Sequence, residues 1–223
     1  MLYSLFSGGF SLEALLSLLI TLPFLMLSLS VHEYAHAFAA HKQGDDYARV
    51  MGRMTINPLK HIDPLGLLML VLVGFGWAKP VPIVPSNFKN GRKSMIIVSI
   101  AGVLANLIMA FIAINLLYFL NYTCGLYFFV TNPAIWAIVL SDIFIYFITL
   151  CVFNLIPLPP LDGYKVVREL FYSFRSRNIF DFLDRYGNFI LIALIIFGGT
   201  SGIISQVSGF ILRLMEQFCM LIY

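Results

Sequence analysis

Apolar positions in this chain run on in blocks, with little of the alternation or striping of a soluble fold. One block runs from about Ser11 to His41, a second from Ser94 to about Leu120, a third from Pro133 to Ile156, and a fourth from near Asn188 to about Leu214. Runs of about 18 or more apolar residues predict membrane-spanning helices, because about 20 residues of helix cross a hydrocarbon core. Pro23 predicts a kink in the first. "GGTSG" (198–202) either breaks the fourth block into two helices or bends one. A fifth block, "LGLLMLVLVGFGWA" (65–78), is short for a span and is thinned by Gly74 and Gly76.

The charges orient these blocks. Lys42, Arg49, Arg53 and Lys60 precede 65–78, and Lys79, Lys89, Arg92 and Lys93 follow it. A crossing there would leave one basic segment outside, against the positive-inside tendency, so 65–78 is read as re-entrant or interfacial. The residues before the first block and the loop 121–132 carry no Lys or Arg and are expected outside. The loop 157–187, with Lys165, Arg168, Arg175, Arg177 and Arg185, is expected in the cytoplasm. The flanks "KQGDDYARVMGRMTINPLKHIDP" (42–64) and "KPVPIVPSNFKNGR" (79–92) are rich in turn residues and proline, and predict short strands and loops against the membrane. The expected fold class is an all-α polytopic membrane protein. It has about 4–6 transmembrane helices and a short membrane-associated β/loop segment between the first two spans. Residues 1–223 are read as a single domain, with a core over about 11–170 and a C-terminal transmembrane segment over about 186–215.

Composition agrees with this picture. The chain is 60% hydrophobic and 11% charged, against roughly 25% charged in soluble domains. A net charge of +3 without a basic tail argues against nucleic acid. Cys124, Cys151 and Cys219 are scattered and form no CxxC, which excludes a disulfide framework and a zinc knuckle. The first block lacks a basic leader and continues into "VHEYAH" (31–36), so it is not read as a removable signal peptide.

That last stretch carries the chemistry. On a helix, residues four apart share a face, so His32 and His36 can point at one ion. Zinc accepts imidazole nitrogen, and catalytic sites use three protein ligands plus water. Glu33 is then placed to take a proton from that water and deliver it to a leaving amine. An isolated HExxH arises by chance in many chains, and the bland reading is a pair of satisfied interfacial histidines. Ionisable groups at membrane depth are costly unless partnered, and this favours the functional reading. For the third ligand, His41 reads as interfacial and His61 as orienting a loop or a carboxylate, while Glu13 and Asp142 lie toward the outer side. Asp162, in "FNLIPLPPLDGYKV", follows a proline-broken span at the depth of the histidines. Alone it is as readily a helix N-cap as a ligand. Paired with HEYAH at that depth, it is read as a ligand.

Together, "HEYAH" (32–36) and "NLIPLPPLDG" (154–163) resemble the site-2 protease family of intramembrane zinc metalloproteases, peptidase family M50. The resemblance extends through "GRMTINPLKHIDPLG" (52–66), "GFGWAKPVP" (74–82) and "AGVLAN" (101–106), and is closest to the compact branch without PDZ or CBS domains. It implies one Zn2+ per chain held by His32, His36 and Asp162, with Glu33 as catalytic acid/base. It also implies a substrate-binding or oxyanion role for Asn154, and for Asn106 of the AGPxxN-like motif, in which Val103 replaces the usual proline. Tyr164 stands where relatives often have a small residue. The implied partners are a transmembrane protein substrate and the lipid bilayer, with room for a homo-oligomer or a regulatory membrane partner. The implied location is a bacterial cell membrane, multi-pass, with the N-terminus external and the site toward the cytoplasm. Three other readings are kept: a metal transporter, which has no need of Glu33; a non-catalytic relative that binds membrane proteins; and a prenyl-type zinc protease, for which Glu169 is the nearest third ligand.

Overall fold

The computed structural model describes residues 12–73, 77–124 and 135–223. The first apolar block forms one helix, α1 (Leu12–Lys42), which continues through Pro23. Proline forfeits one hydrogen bond inside a helix, yet it does not end the element here. After the short helix α2 (Tyr47–Val50) and a 3-10 turn (Pro58–Lys60) comes α3 (Pro64–Val73). Its ten residues rise about 15 Å, half of a hydrocarbon core of about 30 Å, so α3 is too short to cross.

The strands expected between the first two spans do not form among the described residues. A second 3-10 turn (Pro85–Asn87) and one isolated antiparallel bridge, Ile62 with Ala78, stand in their place. Pro58, Pro64, Pro80, Pro82 and Pro85 remove the donors that a ladder would need.

The remaining helices are α4 (Arg92–Cys124), α5 (Ile135–Asn154), α6 (Asp162–Phe171), α7 (Arg177–Ile196) and α8 (Gly199–Ile222). Much of the basic segment 157–187 is therefore helical, and α7 starts well before the apolar block it carries. The GGTSG stretch breaks the last block in two. Gly198 adopts φ +73°, open to glycine at little cost, and α7 and α8 meet at 79°. Most of the loop 121–132 and residues 1–11 lie outside the described residues.

Helices α4, α5 and α8 share a core built around Ala110, Ala113, Ile114, Phe144, Phe147, Ile148 and Met215, with Leu27 and Val31 of α1 against it. Small residues let α1 approach closely: Ala37 and Ala40 are fully buried, as are Ser28 and Ser30, whose hydroxyls donate to carbonyls of their own helix. α4 turns the soluble pattern inside out. It exposes Ile97, Leu104, Ile108, Leu116 and Phe119 at helical spacing while burying Asn106 completely. By length and composition, Arg92–Thr123 is the single helix among the described residues able to cross a membrane; α7 with α8 qualify as a bent pair, and Val139–Asn154 is apolar but shorter.

Candidate metal centre

The helical repeat of α1 stacks His32 and His36, placing their Nε2 atoms 2.9 Å apart. Asp162, the first residue of α6, brings Oδ2 to 3.0 Å from His32 Nε2 and 2.9 Å from His36 Nε2. All three side chains are buried, and among the described residues no other three such groups come close enough to share an ion. A tetrahedral ion with bonds of about 2.0–2.1 Å spaces its ligands about 3.3 Å apart. The observed triangle is a few tenths of an ångström tighter.

Two close approaches shape it. A Cβ on Gly102 of α4 would lie 2.6 Å from His36 Nε2 and 2.7 Å from His32 Cε1, so only glycine leaves room for both rings. A Cβ on Gly163 would lie 2.3 Å from the Leu155 carbonyl oxygen. α6 can therefore start hard against the end of α5, where Pro157, Pro159 and Pro160 prevent α5 from continuing. Asp162 makes no side-chain cap; Leu161 occupies the cap position of α6.

Proton accounting shows what the triangle is suited to hold. His36 Nδ1 lies 2.7 Å from the Val98 carbonyl, which only accepts, so Nδ1 carries the proton and Nε2 presents its lone pair. The Asn106 amide lies 3.2 Å from His32 Nδ1, and Asn106 Oδ1 has no partner although buried. A half-turn of that amide lets Oδ1 accept from His32 Nδ1–H, which leaves His32 Nε2 as a lone pair too. Asp162 Oδ2 is likewise without a donor. In that arrangement three lone pairs face one another at about 3 Å, which is a ligand set for a cation. The residues fit zinc.

Glu33, beside His32, accepts the Val81 N–H on Oε2 at 2.8 Å. It opens with His32, His36 and Asp162 onto a cavity of about 650 Å3. Leu25, Met26 and Leu29 of α1, Phe153 of α5 and Leu191 of α7 give that cavity apolar walls. Asn154 lines it as well, donating one amide hydrogen to the Leu150 carbonyl at 3.0 Å. Asn106 does not line it. It sits behind His32, where it can orient a ring. His61 Nε2 meets the Thr55 carbonyl at 2.8 Å and His41 meets Asp46, so neither joins the cluster. Glu169 pairs with Arg168 and also stays apart.

Several supporting residues gave no pattern in the sequence. Asp45 is fully buried and accepts from Val84 N at 2.7 Å and Asn87 Nδ2 at 2.8 Å, which ties the segment that grips Glu33 to the end of α1. Arg53 donates to the Lys79 carbonyl at 2.6 Å and steadies the same segment. Lys165 Nζ lies 2.9 Å from Asp162 Oδ1. On the far side of α6, Tyr164 donates to Asp184 of α7, and Arg168 pairs with the same carboxylate at 3.3 Å. Burial, reinforced by Asp184, pushes the Tyr164 phenol up to about 12, so it remains a donor at any ordinary pH.

The chain is similar to known proteins over much of its length. A sequence model of peptidase family M50 matches residues 130–198. "Putative zinc metalloprotease YwhC" of Bacillus subtilis (strain 168) is 43% identical over 150 residues, 66% of each chain. Two proteins named Rip2 under the same description are similar over shorter shares. That of Mycolicibacterium smegmatis is 34% identical over 151 residues, 62% of this chain and 52% of its own. That of Mycobacterium tuberculosis (strain H37Rv) is 31% identical over 147 residues, 64% of this chain and 53% of its own. The chain thus spans 66% of the Bacillus relative and about half of the mycobacterial ones. No solved structure matches.

Proposed function

The chain belongs to peptidase family M50, and we propose that it is a zinc-dependent endopeptidase that hydrolyses a peptide bond in or near a transmembrane segment of a membrane-protein substrate. The observation that carries this reading is the meeting of His32 Nε2, His36 Nε2 and Asp162 Oδ2 within 3.0 Å, on the same cavity as Glu33.

His32, His36 and Asp162 hold the metal. The chemistry a bound zinc supplies is Lewis acidity, which acidifies water and polarises a carbonyl. Glu33 takes the proton of the attacking water as the C–O bond forms and passes it to the amide nitrogen as the C–N bond breaks. The Val81 N–H holds one Glu33 oxygen, which leaves the other for the water. Asn154 keeps a second amide hydrogen beyond the one bound to Leu150, and offers it to the carbonyl oxygen as charge develops there.

Residues 1–223 act as one membrane-embedded protease unit in this reading. In this reading α1 and α5, which do not qualify as spans by length and composition alone among the described residues, cross the membrane together with α4 and the bent α7–α8 pair. The basic residues that follow α1 and precede α4 support a zinc end toward the cytoplasm of a bacterial cell, with the N-terminus external. The apolar cavity walls suit an apolar substrate segment, which has to unwind to expose its amides. Ile83 lines the cavity two residues beyond the Glu33 grip, and its N–H has no partner among the described residues. It is the donor an extended substrate would meet. Ile83→Pro is expected to cut cleavage at least about tenfold, by the loss of one such bond, with bound zinc unchanged. Full cleavage by that variant removes this docking edge.

The deciding experiment assays purified wild type and Glu33→Gln for bound zinc and for cleavage of a transmembrane peptide. The expected result is about one zinc in each, from the three-ligand site, and cleavage by wild type alone. Zinc transport that survives in Glu33→Gln, without any proteolysis by wild type, would overturn the reading in favour of a metal transit site.

A further inference from the structure

We infer that Lys165 is a positioning residue for the metal centre: its ammonium fixes the Asp162 carboxylate as a one-oxygen ligand. This rests on the zinc-site reading above. Asp162 is buried, with a side chain 4% exposed, and its two oxygens are treated differently. Oδ2 faces the two imidazoles, and Oδ1 meets Lys165 Nζ at 2.9 Å. No backbone N–H among the described residues holds either oxygen. An aspartate tied through Cβ alone is free to rotate about Cβ–Cγ, to swing both oxygens onto an ion or to withdraw both. The ammonium removes that freedom at one oxygen.

The backbone sets Lys165 up for this. Asp162 and Lys165 are three apart on α6, so they share its first turn and one face. α6 is itself held against α5 at Gly163 and against α7 through Tyr164 and Asp184. The lysine stem thus starts from a fixed point. Its side chain is 42% exposed and borders the same cavity as Glu33, so the ammonium can keep water on its remaining hydrogens while gripping a buried oxygen.

Two effects of removing this lysine have opposite signs, which makes the inference decidable. A cation beside a dication repels it, so a lysine acting only as a nearby charge weakens zinc binding, and its removal tightens it. A lysine that orients a ligand strengthens binding, and its removal costs about 10–100-fold in affinity.

The test titrates zinc from detergent-purified full chains with a chromophoric chelator, comparing wild type, Lys165→Met, Lys165→Gln and Lys165→Arg, and records the visible spectra of the cobalt-substituted forms. Positioning predicts that Met and Gln weaken zinc by about 10–100-fold and alter the cobalt spectrum, and that Arg, which retains charge and donor, restores both. The Gln variant covers the case in which Met does not fold. Unchanged or tighter zinc in a folded Met or Gln variant, with the cobalt spectrum unaltered, overturns the inference. Equal weakening by Arg and Met does so too. A wild type that holds no zinc refutes the metal reading itself, and so is distinguishable from a failure of this inference alone.

Discussion

The two histidines and the aspartate reach the same point by opposite means. His32 and His36 ride on an unbroken helix, where a spacing of four residues alone puts both rings on one face. Asp162 arrives where a helix has been stopped, and its position depends on Leu155, Gly163 and Lys165 together. The histidine half is local and rigid, and its demands on the rest of the fold are space and proton partners. The aspartate half is assembled from two chain segments, the end of α5 and the first turn of α6. A metal centre of this kind therefore has one side that tolerates neighbouring change and one side that transmits it.

The largest expected effect strikes the tolerant side at its single steric weakness. Gly102→Ala places a methyl 2.6 Å from His36 Nε2 and 2.7 Å from His32 Cε1. Zinc affinity should fall by about 100-fold or more, at or beyond the upper end of second-shell losses. The helix itself should not suffer, since alanine is the better helix former. A Gly102→Ala chain with full zinc would show that the rings have room to spare. Gly202→Ala in α8, which meets nothing within 4 Å, is the matched control.

Gly163→Ala tests the assembled side. The clash is with a backbone oxygen at 2.3 Å, which cannot yield as a side-chain tip can. The variant should lose stability by about 2–3 kcal/mol and zinc together, read as thermal midpoint with and without excess zinc. Zinc loss at unchanged apo stability would mean that the junction positions Asp162 without bracing the fold.

The smallest effect is expected behind the histidines. Asn106→Leu keeps the volume but removes the partner of His32 Nδ1, and should weaken zinc by about 10-fold, the low end for such partners. No change would mean that ring stacking and Gly102 alone hold His32 in place.

Much of this was legible in the residues. HEYAH announced its own geometry, because helical periodicity is a local property. The proline run at 157–160 announced a break, and Asp162 followed as the carboxylate at matching depth. Whether GGTSG makes two helices or one bent helix was open in the sequence and is decided, for two, by the left-handed backbone at Gly198. The expected strands do not form because the prolines among these residues deny a ladder its donors.

By itself, the sequence determined the membrane-like composition, the chemistry of HEYAH and the place where α5 must stop. These follow from single-residue hydrophobicity, helical period and proline sterics, none of which needs a distant partner. Only the tertiary structure decided that Asn106 stands behind His32 and away from the cavity, that the Val81 N–H grips Glu33, and that Lys165 holds the second oxygen of Asp162. These are contacts between segments, or choices among rotamers, and a buried polar group settles on whichever partner the packing leaves within reach.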